Sequence, residues 1–206
     1  MEKRVLVLST AYYPPVQYFA EILQAGQLLI EQEETYPKQT YRNRCYIYSA
    51  NGPIALSIPV QRGSFHKLKL RDIKIDYSRK WQGEHIHAIV SAYKSSAFYE
   101  FYADTLLRPL YEGRHEYLLD LNMEILDIML GILELDISVS KTAAFTKDYA
   151  DNARDLRYSL SPKIKSSYSH TEYFQVFSPV HGFKPNLSIM DLLFNMGPEI
   201  WSCLRT

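Results

Sequence analysis

The chain has 206 residues, with 23 basic and 23 acidic side chains and a formal net charge of zero. That balance argues against a general nucleic-acid or anionic-membrane binder, since both need a surplus of cations on one face. With 47% hydrophobic residues the chain can build a core without a structural metal, and its two cysteines, Cys45 and Cys203, lack paired spacing, as in a reducing compartment.

The opening "MEKRVLVLSTAYYPP" has cations, a short apolar run and then two prolines. It predicts neither a signal peptide nor a membrane span, and the expected location is cytoplasmic. "RVLVLS" (4–9) predicts a short buried strand. Pro14 and Pro15 sit where a helix can start, and Val16, Phe19, Ala20 and Leu23 then follow helical spacing. "LLIEQ" (28–32) predicts a second strand, and strand–helix–strand order implies a parallel pair with a crossover helix. "RCYIYSANGPIALSIPV" predicts a hairpin turning at Asn51-Gly52. "KLKLRDIKID" (67–76) predicts a further strand, bulged at Asp72.

From Trp81 the pattern turns helical. "WQGEHIHAIVSAYKSSAF" places Ile86, Ile89, Val90, Tyr93 and Ala97 in one stripe. Residues 116–135 are apolar nearly all round, apart from a line of Glu116, Asp120, Glu124, Asp127 and Glu134. That line reads as the solvated face of a helix and not as a metal site. Residues 138–172 are polar and weakly periodic, which predicts a lid, a binding loop or a mobile segment. The expected fold is α/β in one domain over 1–206, with the strand–helix–strand and the hairpin forming a mixed sheet and a largely helical C-terminal half.

Familiar catalytic signatures are absent: no dinucleotide fingerprint, no phosphate loop ending Gly-Lys-Ser/Thr, and no nucleophile elbow. His85 and His87 fall on different sides of a helix, and His66, His115, His170 and His181 lack ligand spacing, so neither a metal nor a cofactor is expected. Ser188 and Asp191 fit a capping box ahead of "IMDLLFN".

Three features carry possible chemistry. The first is "YPKQTYRNRCYIY" (36–48), with Lys38, Arg42, Asn43 and Arg44. Guanidinium forks suit carboxylates and phosphates, although such clusters are more often an exposed edge kept soluble by charge. The second is His85, at the margin of the apolar stripe one turn after Trp81. It fits a packed histidine or a cleft residue titrating near neutrality. The third is "LSTAYYPPVQYF", where a strand ends and a helix begins. Ligands of parallel α/β sheets lie outside the carboxyl ends of strands, and a helix N-terminus offers free N–H groups. Tyr12, Tyr13 and Gln17 would line such a pocket, or pack as a rigid turn.

"YYPPVQYF", the K-x-x-x-R-N-R of 38–44, the W-x-x-x-H-x-x-x-I-x-x-x-Y of 81–93 and "YFQVF…GFKPNLSIMDLLFNMGPE" together resemble the WbqC-like family. The resemblance runs from residue 5 to about residue 200. It departs at "PPVQYF", where leucine-proline-tryptophan is more usual, and at Tyr41, where tryptophan is commoner. It implies a setting in bacterial surface-polysaccharide (O-antigen) biosynthesis and transfer of an acyl or aminoacyl group, such as glycine, to a sugar. On this reading Lys38 and Arg44, with Arg42, neutralise an anionic substrate such as a nucleotide sugar or acyl donor. Asn43 orients it, Tyr12, Gln17, Trp81 and Tyr93 line the cleft, and His85 with Lys38 carries the catalysis. The competing expectation is a non-catalytic module that holds an anionic metabolite or a partner protein in the same cleft.

Overall fold

The computed structural model describes residues 4–61, 68–149, 152–166 and 168–205. Strand β1 (Val5–Ser9) runs parallel to β2 (Gln27–Glu31), with Val5 opposite Gln27 and Ser9 opposite Glu31. Helix α1 (Val16–Leu23) makes the crossover, as the strand–helix–strand pattern predicts. The hairpin is β3 (Arg44–Ser49) and β4 (Gly52–Ser57). Its connecting pair is Ala50 and Asn51, one residue earlier than predicted, and Gly52 follows at φ 99° as the first paired residue. That backbone region favours glycine, so the glycine's value lies just after the turn.

The predicted strand at 67–76 is corrected: Lys67 lies outside the described residues, and Leu70–Asp72 is a 3-10 turn. It is flanked by isolated bridges from Lys69 to Thr35, Lys74 to Tyr117 and Ile75 to Val60. The change in alternation at Asp72 marks this turn and not a bulge. Three helices follow: α2 (Trp81–Tyr93), α3 (Tyr99–Tyr111) and α4 (Leu118–Ile132). The buried face of α2 is Trp81, His85, Ile89, Ala92 and Tyr93, rotated from the predicted stripe so that His85 joins the core. The acidic line on α4 is the solvated face, with Asp120 and Asp127 exposed and Glu124 partly so.

The stretch 138–172, expected to form a lid or mobile loop, supplies two strands. These are β5 (Ser138–Lys141), parallel to β2, and β6 (Ala153–Asp155), parallel to β1. The parallel sheet therefore has the order β5-β2-β1-β6, and the hairpin stands beside it as an antiparallel pair. The chain ends in α5 (Ser178–His181), α6 (Ile189–Met196), a 3-10 turn (Gly197–Ile200) and α7 (Trp201–Leu204). One cluster of buried residues runs from Leu6 to Leu204.

The free edge of β3 is covered on both sides. The carbonyl of Tyr46 accepts from the Ser188 N–H at 2.8 Å, and the Tyr48 N–H donates to the Tyr93 hydroxyl at 3.0 Å. Unpaired edge groups invite pairing with other chains, so α2 and the start of α6 close that route. Ser188 caps α6 as predicted, accepting from the Met190 N–H, but Asp191 makes no reciprocal bond. Its carboxylate turns into the core and meets Tyr93, Tyr173 and Gln175.

Candidate functional site

The order β5-β2-β1-β6 puts a topological switch point between β1 and β6, where α/β sheets commonly bind ligands. Here that crevice is filled. Its free volume is about 10 Å³, between Ser9, Thr10, Tyr18, Tyr41, Arg42 and Arg157. Arg42, expected to meet an anionic substrate, forms a fork on Glu34 at 2.7 and 2.8 Å and donates to the carbonyl of Arg157 at 3.1 Å. Arg157 in turn pairs with Glu31 at 2.7 Å and Asp155 at 2.6 Å, and both its partner Glu31 and Glu34 are sealed from solvent. The sequence places a carboxylate at the end of β2 and another in the loop after it, and each needs a buried cation to offset its desolvation. The arginines supply those charges.

The proposed anion site at the start of α1 is also taken. The N–H groups of Val16 and Gln17 donate to the Leu187 carbonyl and the Asn186 Oδ1, each at 3.0 Å, and that of Tyr18 to the Pro15 carbonyl. Tyr12 and Tyr13 are buried in the core; the Tyr13 hydroxyl donates to the Leu106 carbonyl at 2.6 Å. The third feature is thus the rigid aromatic turn, with a residue-186 loop capping the helix from across the chain.

The hairpin divides the remaining candidates. Behind it, the Tyr12 hydroxyl meets Nδ1 of His85 at 2.8 Å, and Trp81 lies edge-on to His85 with centroids 5.2 Å apart. Burial lowers His85 to about 4, opposed by a hydrogen bond to the Ser57 backbone. Tyr93, also buried, joins β3 to Asp191. Asn43 donates to the Ile58 carbonyl at 3.0 Å, while its Oδ1 and the Trp81 Nε1 have no partner among the described residues. On the other face, Arg44 alternates onto the same side of β3 as Tyr46 and donates to the Ser57 hydroxyl at 2.9 Å. Lys38 is exposed and lies outside the large cleft.

That cleft has a volume of about 590 Å³ and opens in front of the hairpin. Tyr41 and Tyr46 form its floor, with rings edge-on at 6.4 Å. The described residues of 162–172, with 183–187, supply its walls, including Lys165, His170, Glu172, Phe183 and Lys184. Tyr168 is held there by a bond from its hydroxyl to the Cys203 carbonyl at 2.9 Å. None of the sequence-predicted site residues lines it, but Gln17 stands directly behind one wall.

The Gln17 contact fixes a tautomer. The Ser166 hydroxyl donates its one proton to Oε1 of Gln17 at 2.7 Å, so toward Nε2 of His170, 3.1 Å away, it acts as an acceptor. His170 then carries its proton on Nε2 and a lone pair on Nδ1. Partial burial lowers its pKa below the ordinary value, so the ring is neutral at neutral pH. Lys165 and Lys184 enter no ion pair among the described residues, in contrast to Arg42 and Arg157. Sequence reasoning missed this site because its walls come from a stretch without periodicity. Tyr41 and Tyr46, inside the opening basic segment, were the available signal.

The described residues contain no group of histidines, cysteines and carboxylates placed to hold a metal, and no helix long and apolar enough to cross a membrane. No solved structure matches the chain. A relative in Mycobacterium tuberculosis, the uncharacterized protein Rv1507c, is 27% identical over 232 aligned positions, which cover 98% of each chain. The model of the WbqC-like protein family matches residues 10–168, from just after β1 into the first wall of the cleft, ending before His170 and the second wall. The chain belongs to the WbqC-like protein family.

Proposed function

We propose that this protein is a group-transfer enzyme that holds an anionic substrate, a nucleotide sugar or an acyl donor, in the 590 Å³ cleft. It passes an acyl or aminoacyl group to a sugar hydroxyl or amine, in the cytoplasmic stage of surface-polysaccharide synthesis that the family resemblance implies. The observation behind this reading is that two lysines without ion-pair partners, a neutral histidine and four aromatic rings converge on one concave surface. Clefts of about 300–1,000 Å³ with a few placed polar groups are the usual form of small-molecule sites.

Lys165 and Lys184 neutralise the substrate's charge, with Arg44 on the adjoining face of β3. Tyr41, Tyr46, Tyr168 and Phe183 present flat surfaces to a sugar or base, and residues 162–172 act as the lid. His170 Nδ1 accepts the proton of the acceptor hydroxyl or amine as its oxygen or nitrogen bonds to the donor's carbonyl carbon. The bond from that carbon to the leaving group then breaks. His85 serves as a positioning residue that fixes the hairpin from behind, because an imidazole held near 4 is a weak base at neutral pH.

The test is a thermal-shift screen against nucleotide sugars, acyl carriers and amino-acid conjugates. A ligand at 100 times its dissociation constant adds about 2.7 kcal/mol. Support requires a shift that Lys184→Ala reduces, and turnover that His170→Asn removes while binding persists. Ligand binding without turnover in the unaltered protein would instead identify a binding module.

A further inference from the structure

Asp191, in the first turn of α6, is sealed from solvent. Three neutral donors meet it: the Tyr93 hydroxyl from α2 at 3.0 Å on Oδ1, and the Tyr173 hydroxyl at 2.7 Å and Gln175 Nε2 at 2.8 Å on Oδ2. The other titratable groups around this centre are Tyr48 on β3, whose phenol burial holds above its ordinary value, and Cys203 on α7. No lysine or arginine among the described residues pairs with it. A buried carboxylate without a cation carries a large desolvation cost, which three neutral donors offset in part.

Two of those donors hold a wall of the cleft in place. Gln175 grips Lys184 twice, accepting from its N–H at 2.8 Å and donating to its carbonyl at 2.9 Å. The Tyr173 ring lies edge-on to Phe183 at 5.3 Å. Phe183 and Lys184 both line the cleft, so this wall hangs from Asp191 through Tyr173 and Gln175.

We infer that Asp191 is a proton-linked latch: residues 172–185 dock on its neutral carboxyl group and loosen when that group ionises. The latch gains a role in ligand capture from the cleft reading above, but it acts whether or not a ligand binds. Docked, burial pushes Asp191 up to about 6 despite the donors that pull it down. Undocked, the group meets water and returns to the ordinary carboxylate range near 4. The docked state therefore binds more protons between those values, and raising the pH favours undocking. Phenol hydroxyls rotate, so the oxygen of Tyr93 or Tyr173 can accept the carboxyl proton in the docked form.

Amide hydrogen exchange on the full chain between pH 5 and 8, corrected for intrinsic exchange rates, tests the latch without a ligand. Protection of 172–185 should fall about 10-fold, since each pKa unit between the two states is a factor of ten and about one of the two units is already spent at pH 5. Peptides from α4 should show no such fall. Asp191→Asn should give a flat profile. Tyr173→Phe, which removes a donor that favours the charged form, should move the midpoint upward and covers the case in which Asp191→Asn does not fold. Protection that is flat or rises with pH in the unaltered protein, or an unmoved midpoint in Tyr173→Phe, overturns the latch. Inorganic pyrophosphate titrated at pH 5 and 8 separates the two proposals: a responding wall with no pyrophosphate binding keeps the latch and removes the anion-binding role of the cleft.

Discussion

Tyr12 and His85 share a 2.8 Å hydrogen bond inside the core, with neither ring reaching the cleft. Burial holds the Tyr12 phenol well above its ordinary pKa, so the hydroxyl keeps its proton and donates to Nδ1. The same burial lowers His85 to about 4. An unfolded chain protonates this imidazole near 6.5. Its contribution to stability is therefore complete above pH 6.5 and is lost as pH falls through 4, about 3 kcal/mol in all. Urea unfolding at pH 7 and 4.5 should show a drop that is about 2–3 kcal/mol smaller in His85→Gln. Parallel pH profiles for the two proteins would remove His85 from this role.

Arg42 and Arg44 sit two residues apart in sequence and have opposite expected outcomes. Arg42→Ala strands Glu34 in the core and should cost about 3–5 kcal/mol, as when one partner of a buried ion pair is removed. Arg44→Ala loses a part-exposed bond to Ser57 and should cost about 0.5–1.5 kcal/mol. Replacing Arg42 and Glu34 together with Met and Leu should recover most of the Arg42→Ala loss. Denaturant midpoints decide. A mild Arg42→Ala accompanied by weakened ligand binding would return Arg42 to the site.

The contrast between those arginines shows what the sequence could reveal. β1, α1, β2 and the hairpin were legible because each has a periodicity or turn chemistry of its own. β5 and β6 were not: "SVSK" and "ARD" are too short to show alternation, and they become strands because β2 and β1 offer them open edges. Arg42 looked like a ligand contact because its partner Glu34 lies in a loop with no pattern linking the two. His85 looked marginal because counting apolar residues alone rotated the α2 stripe away from the hairpin. The cleft was hidden for the same reason as β6, since segments that form by packing on others leave little trace in local sequence.

Two glycines should respond in opposite directions to alanine. Gly197 ends α6 at φ 52°, and a Cβ there would lie 2.4 Å from the Phe98 ring. Phe98 is fixed in turn by its N–H bond to the Phe194 carbonyl at 2.9 Å. Left-handed backbone and overpacking together should cost about 2–4 kcal/mol. At this chain length that lowers Tm by about 4–16 °C. Gly131, within α4, has open space where a Cβ would go, so Gly131→Ala should stabilise by about 0.5–1 kcal/mol. A Gly197→Ala protein that melts like the unaltered one would mean that the Phe98 ring yields freely.

Lys165 and Lys184 separate a built anion site from ordinary surface charge. Lys184 is half-buried and its backbone is clamped on both sides by Gln175, so its ammonium works from a fixed base. Lys165 is exposed on the opposite wall. An anion held by both should lose about 1.5–3 kcal/mol in Lys184→Ala, the usual worth of a hydrogen bond to a charged group. Lys165→Ala should lose about 0.2–1 kcal/mol, in the range of exposed ion pairs. Salt distinguishes them further, because the Debye length falls from about 10 Å at 0.1 M to about 3 Å at 1 M and screens the exposed charge first. Titration calorimetry with pyrophosphate at both ionic strengths reads all four quantities. Because 162–172 form the wall that carries Lys165, bound pyrophosphate should also slow proteolytic cutting there. Equal affinity in the unaltered protein and both variants, with cutting unchanged, would leave the two lysines as solvated surface and place the anion elsewhere.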